Sequence, residues 1–162
     1  MDKIDKQILD ILKNDSRFSA KSIASMIGQT EDVVAQRIAD MEESGVLVKY
    51  TTIVNSEMTG DDYVVALIEV KVTPQSTHGF DNIAREIMAY NEVSSVYLMS
   101  GAYDLVVIVE GKSIKNVSSF ISEKLSVMDN VISTATHFIL KKYKSEGIVL
   151  DKENSKKREV MI

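Results

Sequence analysis

The 162-residue sequence has no cysteine, no tryptophan, one proline and two histidines. Without cysteine there is no disulfide, no thiol nucleophile and no thiolate metal site. His78 and His137 stand far apart in sequence, so histidine-based acid–base pairs and metal sites are hard to assemble. No apolar run approaches the roughly 20 residues that cross a bilayer, and Met1 to Asp5 lacks the basic-then-apolar order of a secretory leader. These absences leave a soluble, cytoplasmic protein that binds rather than reacts, with no membrane, metal, cofactor or catalytic residue expected. What is present suffices for a real core: 44% of residues are hydrophobic and 27% charged, which is globular composition.

The charge balance is −5, unlike that of a uniformly basic nucleic-acid binder. The first 60 residues carry 7 basic and 10 acidic side chains, and the remaining 102 carry 12 and 14. A case for DNA therefore rests on local patterning, and the charge balance counts against it.

That patterning is clear. Ile4, Ile8, Ile11 and Leu12 recur with helical spacing behind Asp2, a plausible cap. Ser19 caps a second helix with Ile23 and Ile27 on one face, ended by Gly28. Thr30 caps a third, with Val34, Ile38 and Met41 on a stripe closing at Gly45. Helices this short must pack together. Residues 46–54 turn to β-branched and aromatic types and read as one or two strands. Three helices with a tight turn between the last two, then a strand, form a helix-turn-helix with a wing. This gives a domain over 1–54 and a polar linker over 55–62.

From residue 63 the period changes. Strands are expected over 63–72, 93–99, 104–110 and 131–140. Helices carry Phe80, Ile83, Ala84, Ile87 and Met88, and then Ile114, Val117, Phe120, Ile121 and Leu125 behind a Ser113 cap. The order β-α-β-β-α-β predicts a ferredoxin-like antiparallel sheet over 63–142 with two helices on one face. The overall class is α+β. Strands 64–70 and 105–109 are apolar on both faces, so the second face is also buried. A second copy of the same sheet is the cheapest cover, which predicts a homodimer.

At this point the residues resemble a known family. The run Ile4-Asp5-Lys6-Gln7-Ile8-Leu9-Asp10-Ile11-Leu12, then Asp15-Ser16-Arg17-Phe18-Ser19, is similar to the N-terminus of the leucine-responsive/asparagine (Lrp/AsnC) transcriptional regulators. So are Arg37-Ile38 and Met41-Glu42-Glu43-Ser44-Gly45-Val46-Leu47. Ser100-Gly101-Ala102-Tyr103-Asp104-Leu105 and Thr134-Ala135-Thr136-His137-Phe138-Ile139-Leu140 resemble that family's effector domain. The resemblance runs over residues 3–142 in order. It implies a dimer or higher homo-oligomer that binds double-stranded operator DNA and responds to a small effector, usually an amino acid. It also implies that the effector sits between two sheet domains, lined by the Gly-x-Tyr-Asp turn of Gly101, Tyr103 and Asp104.

The N-terminal part of the third helix is the segment that would face base edges. Gln36 can pair bidentately with adenine, Arg37 can hold guanine or phosphate, and the Thr30 hydroxyl can reach a phosphate. Arg17, Lys21 and Lys49, the last in the wing, add basic contacts. The bland alternatives are that Thr30 is only a cap and that Arg37 packs its stem and holds a carboxylate. Glu31 and Asp32 suit the helix dipole but oppose phosphates. For an amino-acid ligand, Asp104 offers an acceptor to the ammonium, and backbone N–H groups from Ser100 to Tyr103 offer donors to the carboxylate. Thr134 and Thr136 share a strand face and offer hydroxyls. Their bland reading is a turn, a cap and two good strand formers.

Residues 143–162 read as a charged tail. From Lys141 onward there are seven basic and four acidic residues. Lys156-Lys157-Arg158 could offset the acidic reading helix, and Ile148-Val149-Leu150 could add a strand. His78 is expected in an exposed loop and His137 at a surface or interface. The leading expectation is an effector-responsive, sequence-specific regulator. The alternative is a ligand-sensing or protein-interaction module whose DNA binding is weakened or lost. An enzyme comes third, since no nucleophile–base pair is evident.

Overall fold

The computed structural model describes residues 1–60, 63–74 and 79–150. The chain divides into two compact units, Met1–Val54 and Asn55–Ile162. His78 and the Lys156-Lys157-Arg158 cluster lie outside the described residues.

In the first unit, α1 spans Lys3–Asn14, α2 Ala20–Ile27 and α3 Glu31–Glu43. Each start has a chemical reason. Asp2 caps α1 reciprocally with Asp5, and the Ser19 hydroxyl accepts the Ser22 N–H, satisfying donors a helix leaves open. Gly28, at φ +68°, takes the left-handed conformation that ends α2 and leads directly into α3,. Ile8, Leu9, Leu12, Ile23, Ala24, Val34 and Met41 close into one buried cluster. Thr30 does precede α3, but its side chain makes no capping hydrogen bond.

The wing is a correction. Residues 46–54 form no strand. After Gly45 the Leu47 N–H returns to the Met41 carbonyl at 2.9 Å, and beyond it Val48 is 87% exposed, with Val54 also exposed. β-branched residues favour a pleated surface but cannot make a ladder alone. No strand is paired with this segment among the described residues.

In the second unit, β1 (Val64–Val72), β2 (Val93–Leu98), β3 (Leu105–Gly111) and β4 (Val131–Ile139) form an antiparallel sheet in the order β2-β3-β1-β4. Helices α4 (Asp81–Met88) and α5 (Ile114–Phe120) cover one face. Alternate residues of β1 (Ala66, Ile68, Val70, Val72) and of β3 (Leu105, Val107, Val109) are buried with Ile83, Ile87, Val117, Phe120 and Leu125. Past α5 the chain loosens into one π-helical stretch, Ile121–Leu125. There Lys124 Nζ meets Glu92 at 2.6 Å and lies 5.3 Å from the centre of the Tyr90 ring.

The other face of the sheet has no helix on it. The pairing register aligns Val65, Leu67 and Glu69 of β1 with Glu110, Ile108 and Val106 of β3, and with Ile139, His137 and Ala135 of β4. Tyr97 of β2, opposite Val106, joins this open face and is 54% exposed.

The charged tail is also corrected in part. Lys144–Ser145 (β5) and Ile148–Val149 (β6) pair as a hairpin. Its two-residue loop, Glu146 at φ +46° and Gly147 at φ +81°, has the positive angles of a type I′ turn. The Asn55 side-chain amide donates to the Leu150 carbonyl at 2.8 Å, so the hairpin is fastened to the start of its own unit.

Candidate nucleic-acid interface and effector site

In α3, Val34 and Met41 face the core. At about 100° per residue, Asp32, Gln36 and Ala39 fall on the far side. Thr30, Glu31, Asp32, Val33 and Gln36 are exposed, so the front of the helix is open to a partner. The Thr30 hydroxyl, unused as a cap, stands at the helix N-terminus where phosphate oxygens find N–H groups,. Gln36 Nε2 donates to Asp40 Oδ1 at 2.8 Å. Lys21 and Lys49 are exposed.

Both arginines of this unit are held by carboxylates. Arg17 grips Asp15 with two parallel hydrogen bonds, Nε to Oδ1 at 2.9 Å and Nη2 to Oδ2 at 2.7 Å. That fork, with the Arg17 N–H, holds the Asp15 carboxyl down at about 2. Arg37 Nη1 donates to Asp2 Oδ2 at 2.7 Å and to Asp5 Oδ1 at 2.9 Å. Hydrogen bonding from the Asp5 N–H, then from Arg37, lowers the Asp2 carboxyl. The two carboxylates in turn raise the Arg37 guanidinium, Asp2 first. The geometry thus gives Arg37 the carboxylate-holding role weighed against base contact. Sequence spacing could not show this, because the partners lie 35 and 32 residues away.

In the second unit the Ser100 to Asp104 turn joins β2 to β3, with Ser100 and Gly101 exposed and Tyr103 and Asp104 half-buried. Asp104 Oδ2 accepts the Val72 N–H at 2.9 Å, and the Asp104 N–H reaches the Val70 carbonyl at 3.1 Å. This carboxylate therefore ties the turn to the end of β1, where the β1–β4 register shifts between Lys71 and Val72. Gly101 does not have a positive φ, and a Cβ built on it meets nothing within 4 Å. Neither the turn nor close packing within the chain demands glycine there, against the bland reading.

Thr134 and Thr136 do share a face, the one bearing the helices, since they pair with Val70 and Ile68 of β1. The Thr134 hydroxyl is 3.4 Å from that of Ser126. Strand β1 separates both threonines from β3, a gap of about 10 Å for two strand spacings. Within one chain, then, the threonines and the turn do not converge on a single cleft. An open hollow of about 180 Å³ lies at the other end of β1, lined by Asn55, Tyr63, Val65, Ile139, Lys142 and Leu150. His137 is exposed on the open sheet face, 3.5 Å from Glu69. No group of three or more acidic or histidine side chains among the described residues is placed to hold a metal ion.

Two family models match the chain: the AsnC-type helix-turn-helix domain over residues 1–42, and the Lrp/AsnC ligand binding domain over residues 65–149. The chain belongs to the Lrp/AsnC family. It is 44% identical over 156 residues to the HTH-type transcriptional regulator YugG of Bacillus subtilis, covering 96% of this chain and 94% of that one. The HTH-type transcriptional regulator FL11 of Pyrococcus furiosus is 31% identical over 144 residues, covering 89% of this chain and 92% of its own. Among solved structures, the Neisseria meningitidis transcriptional regulator NMB0573 in complex with L-Met superposes with a TM-score of 0.72 at 20% identity. That alignment covers 90% of this chain and 93% of that one, and shows the shared fold. This Lrp/AsnC chain is thus a transcriptional regulator with a helix-turn-helix DNA-binding domain and a ligand-binding domain. No helix among the described residues is long and apolar enough to cross a membrane.

Proposed function

We propose that this regulator reads a specific double-stranded DNA sequence as a homodimer or higher homo-oligomer, and that an amino acid bound between sheet domains alters its affinity. The observation that carries the reading is the open sheet face joined in one chain to a helix-turn-helix. Two-fold operators are read by paired recognition helices. A sheet face with Leu67, Ile108 and Tyr97 turned away from the helices suits burial against its own copy, as a two-fold interface requires. Thr30 and Gln36, with Lys21 and Lys49, are the contacts on the reading head; Arg17 reaches phosphate only by leaving Asp15. Residues 1–54 are the DNA-binding domain and 63–142 the effector domain.

Ser100, Gly101, Tyr103 and Asp104 are the proposed effector turn. Thr134 and Thr136 stand apart from it within one chain and lie on the face opposite the open one, so they join the site only from a further copy in a higher homo-oligomer. The unforced glycine at 101 supports this, because a backbone bare of Cβ lets a ligand approach closely. The complex of the Neisseria relative with L-Met supports the choice of an amino acid.

The test is a salt titration of the full chain against duplex DNA from upstream of its own gene and against an unrelated duplex, repeated with each L-amino acid. Preferential binding that falls with salt and shifts with one amino acid supports the reading. Equal binding to both duplexes at low salt sinks it. Gly101→Ala sharpens the effector claim: the melting temperature of the free protein stays unchanged, while the stabilisation by the active amino acid drops at least about fivefold in apparent affinity. An unaltered affinity removes the turn from the site.

A second reading, a ligand-sensing module that no longer binds DNA, has one observation in its favour. Glu31, Asp32 and Asp40 are exposed on α3 while Arg17 and Arg37 are paired internally. The same titration separates the two.

A further inference from the structure

The start of α1 divides its carboxylate oxygens between two tasks. Asp2 Oδ1 accepts the N–H groups of Ile4 and Asp5, at 2.8 and 3.0 Å. Asp5 Oδ2 accepts the Asp2 N–H at 2.8 Å. Those two oxygens make the helix cap. The remaining two, Asp2 Oδ2 and Asp5 Oδ1, both accept from one nitrogen of Arg37, in the middle of α3. All four oxygens are used, and Asp5, at 8% exposure, is the buried polar residue of the described chain.

We propose that Arg37 is a positioning residue for DNA reading: clamped by the capping box of α1, it fixes the rotation of the recognition helix and does not itself touch DNA. The proposal rests on the sequence-specific DNA reading given above. Arg37 lies about 60° around the helix from Val34, whereas Gln36 lies about 160° from it, at 100° per residue. A guanidinium that reaches back to α1 is therefore turned away from the face that Gln36 presents. The apolar contacts of Val34 and Met41 hold α3 against the core, but they are not directional. A forked charge-assisted contact is. Rotation of α3 by about 15° carries a side-chain tip roughly 6 Å off the axis through about 1.5 Å. That displacement is enough to lose a bidentate base contact.

Charge makes the test discriminating. Asp2→Asn removes a negative charge from an acidic reading head, so electrostatics alone predicts tighter binding to any DNA. Asparagine caps a helix as well as aspartate does, so this variant keeps α1 and removes the charge of one of the two carboxylates that hold Arg37, the one at the shorter distance. The full chain first selects a preferred duplex from a randomised pool. Wild type, Asp2→Asn, Arg37→Gln and the double variant are then titrated against that duplex and a scrambled one over a range of salt. Urea midpoints verify that each variant is folded.

The expected result is a specificity ratio reduced about fivefold or more in Asp2→Asn, with affinity for scrambled DNA unchanged or raised. Arg37→Gln shows the same loss, keeps the wild-type salt slope, and is made no worse by adding Asp2→Asn. An Arg37→Gln variant that weakens both duplexes alike and lowers the salt slope by about one would mark a phosphate contact instead. A specificity ratio unchanged in Asp2→Asn overturns the clamp. A wild-type chain that enriches no sequence overturns the DNA reading itself, and the clamp with it.

Discussion

The Asp104 carboxylate accepts the Val72 N–H at 2.9 Å where β1 shifts register against β4. Alanine there leaves a buried strand donor without its partner, and unsatisfied donors cost about 1–3 kcal/mol,. Asp104→Ala is expected to lower the unfolding free energy of the full chain in urea by that amount, seen as a lower midpoint at unchanged slope, so lost effector binding in this variant is interpretable only beside its stability. Asp15 gives a pH prediction. Its folded pKa, about 2 under the Arg17 fork, is below the usual value of about 4. A depressed carboxyl stabilises the fold above its unfolded pKa, and the contribution is lost as pH falls through its folded one. Asp2 is lowered in the same direction. Acid unfolding followed by circular dichroism should therefore steepen between about pH 4 and 2, and Asp15→Asn should flatten that stretch. A profile identical to wild type would mean that solvent screens the exposed pair completely.

Among elements, the helices of the first unit are the most legible, because Asp2, Ser19 and Gly28 are local signals whose partners lie within five residues. Gly28 holds φ +68°, and a Cβ there costs about 1 kcal/mol or more. Gly28→Ala should lower thermal stability accordingly, with little effect at Gly101, where the backbone is ordinary. Open space around Gly28 means that conformation alone sets the cost. Strands β1 and β3 follow from short runs of β-branched residues bounded by polar segments,. Runs apolar on both faces do not say which face each residue takes; the pairing register does. Residues 46–54 mislead because a strand is a relation between two segments, and composition reports only one. The π-helical stretch at Ile121–Leu125 is invisible to spacing, since Ile121 and Leu125 are four apart and suit an α-helix equally. The hairpin over 144–149 did carry a signal, Glu146-Gly147 between short β-forming pairs, masked by the surrounding lysines.

For the whole molecule, the uncovered sheet face sets the outcome. Leu67 stands at its centre, between Ile108 and His137. Lysine at this half-buried position can reach solvent in a single chain but cannot be buried against a copy without a partner. If the proposed homo-oligomer forms through this face, Leu67→Lys is expected to sediment as a monomer where the wild type does not, while keeping its far-ultraviolet spectrum. An unchanged mass would move the interface elsewhere. The candidate sites were less legible than the fold for a common reason: their meaning depends on distant partners. Arg37 is assigned by Asp2 and Asp5, and Asp104 by Val72. Thr134 and Thr136 are distanced from the turn by β1 between them.

The amide of Asn55 touches the carbonyl of Leu150 at 2.8 Å. The described part of the second unit, residues 55–150, is thus nearly a closed loop of chain. A short peptide joining residue 150 to residue 55, with new ends opened in the exposed turn around Asp129, would reconnect the domain in a different order without stretching any strand. Circular permutation of this kind succeeds where ends are close and at the surface. The sheet with its open face could then be prepared as a ring or a permuted chain, free of the reading head, and its self-association weighed on its own.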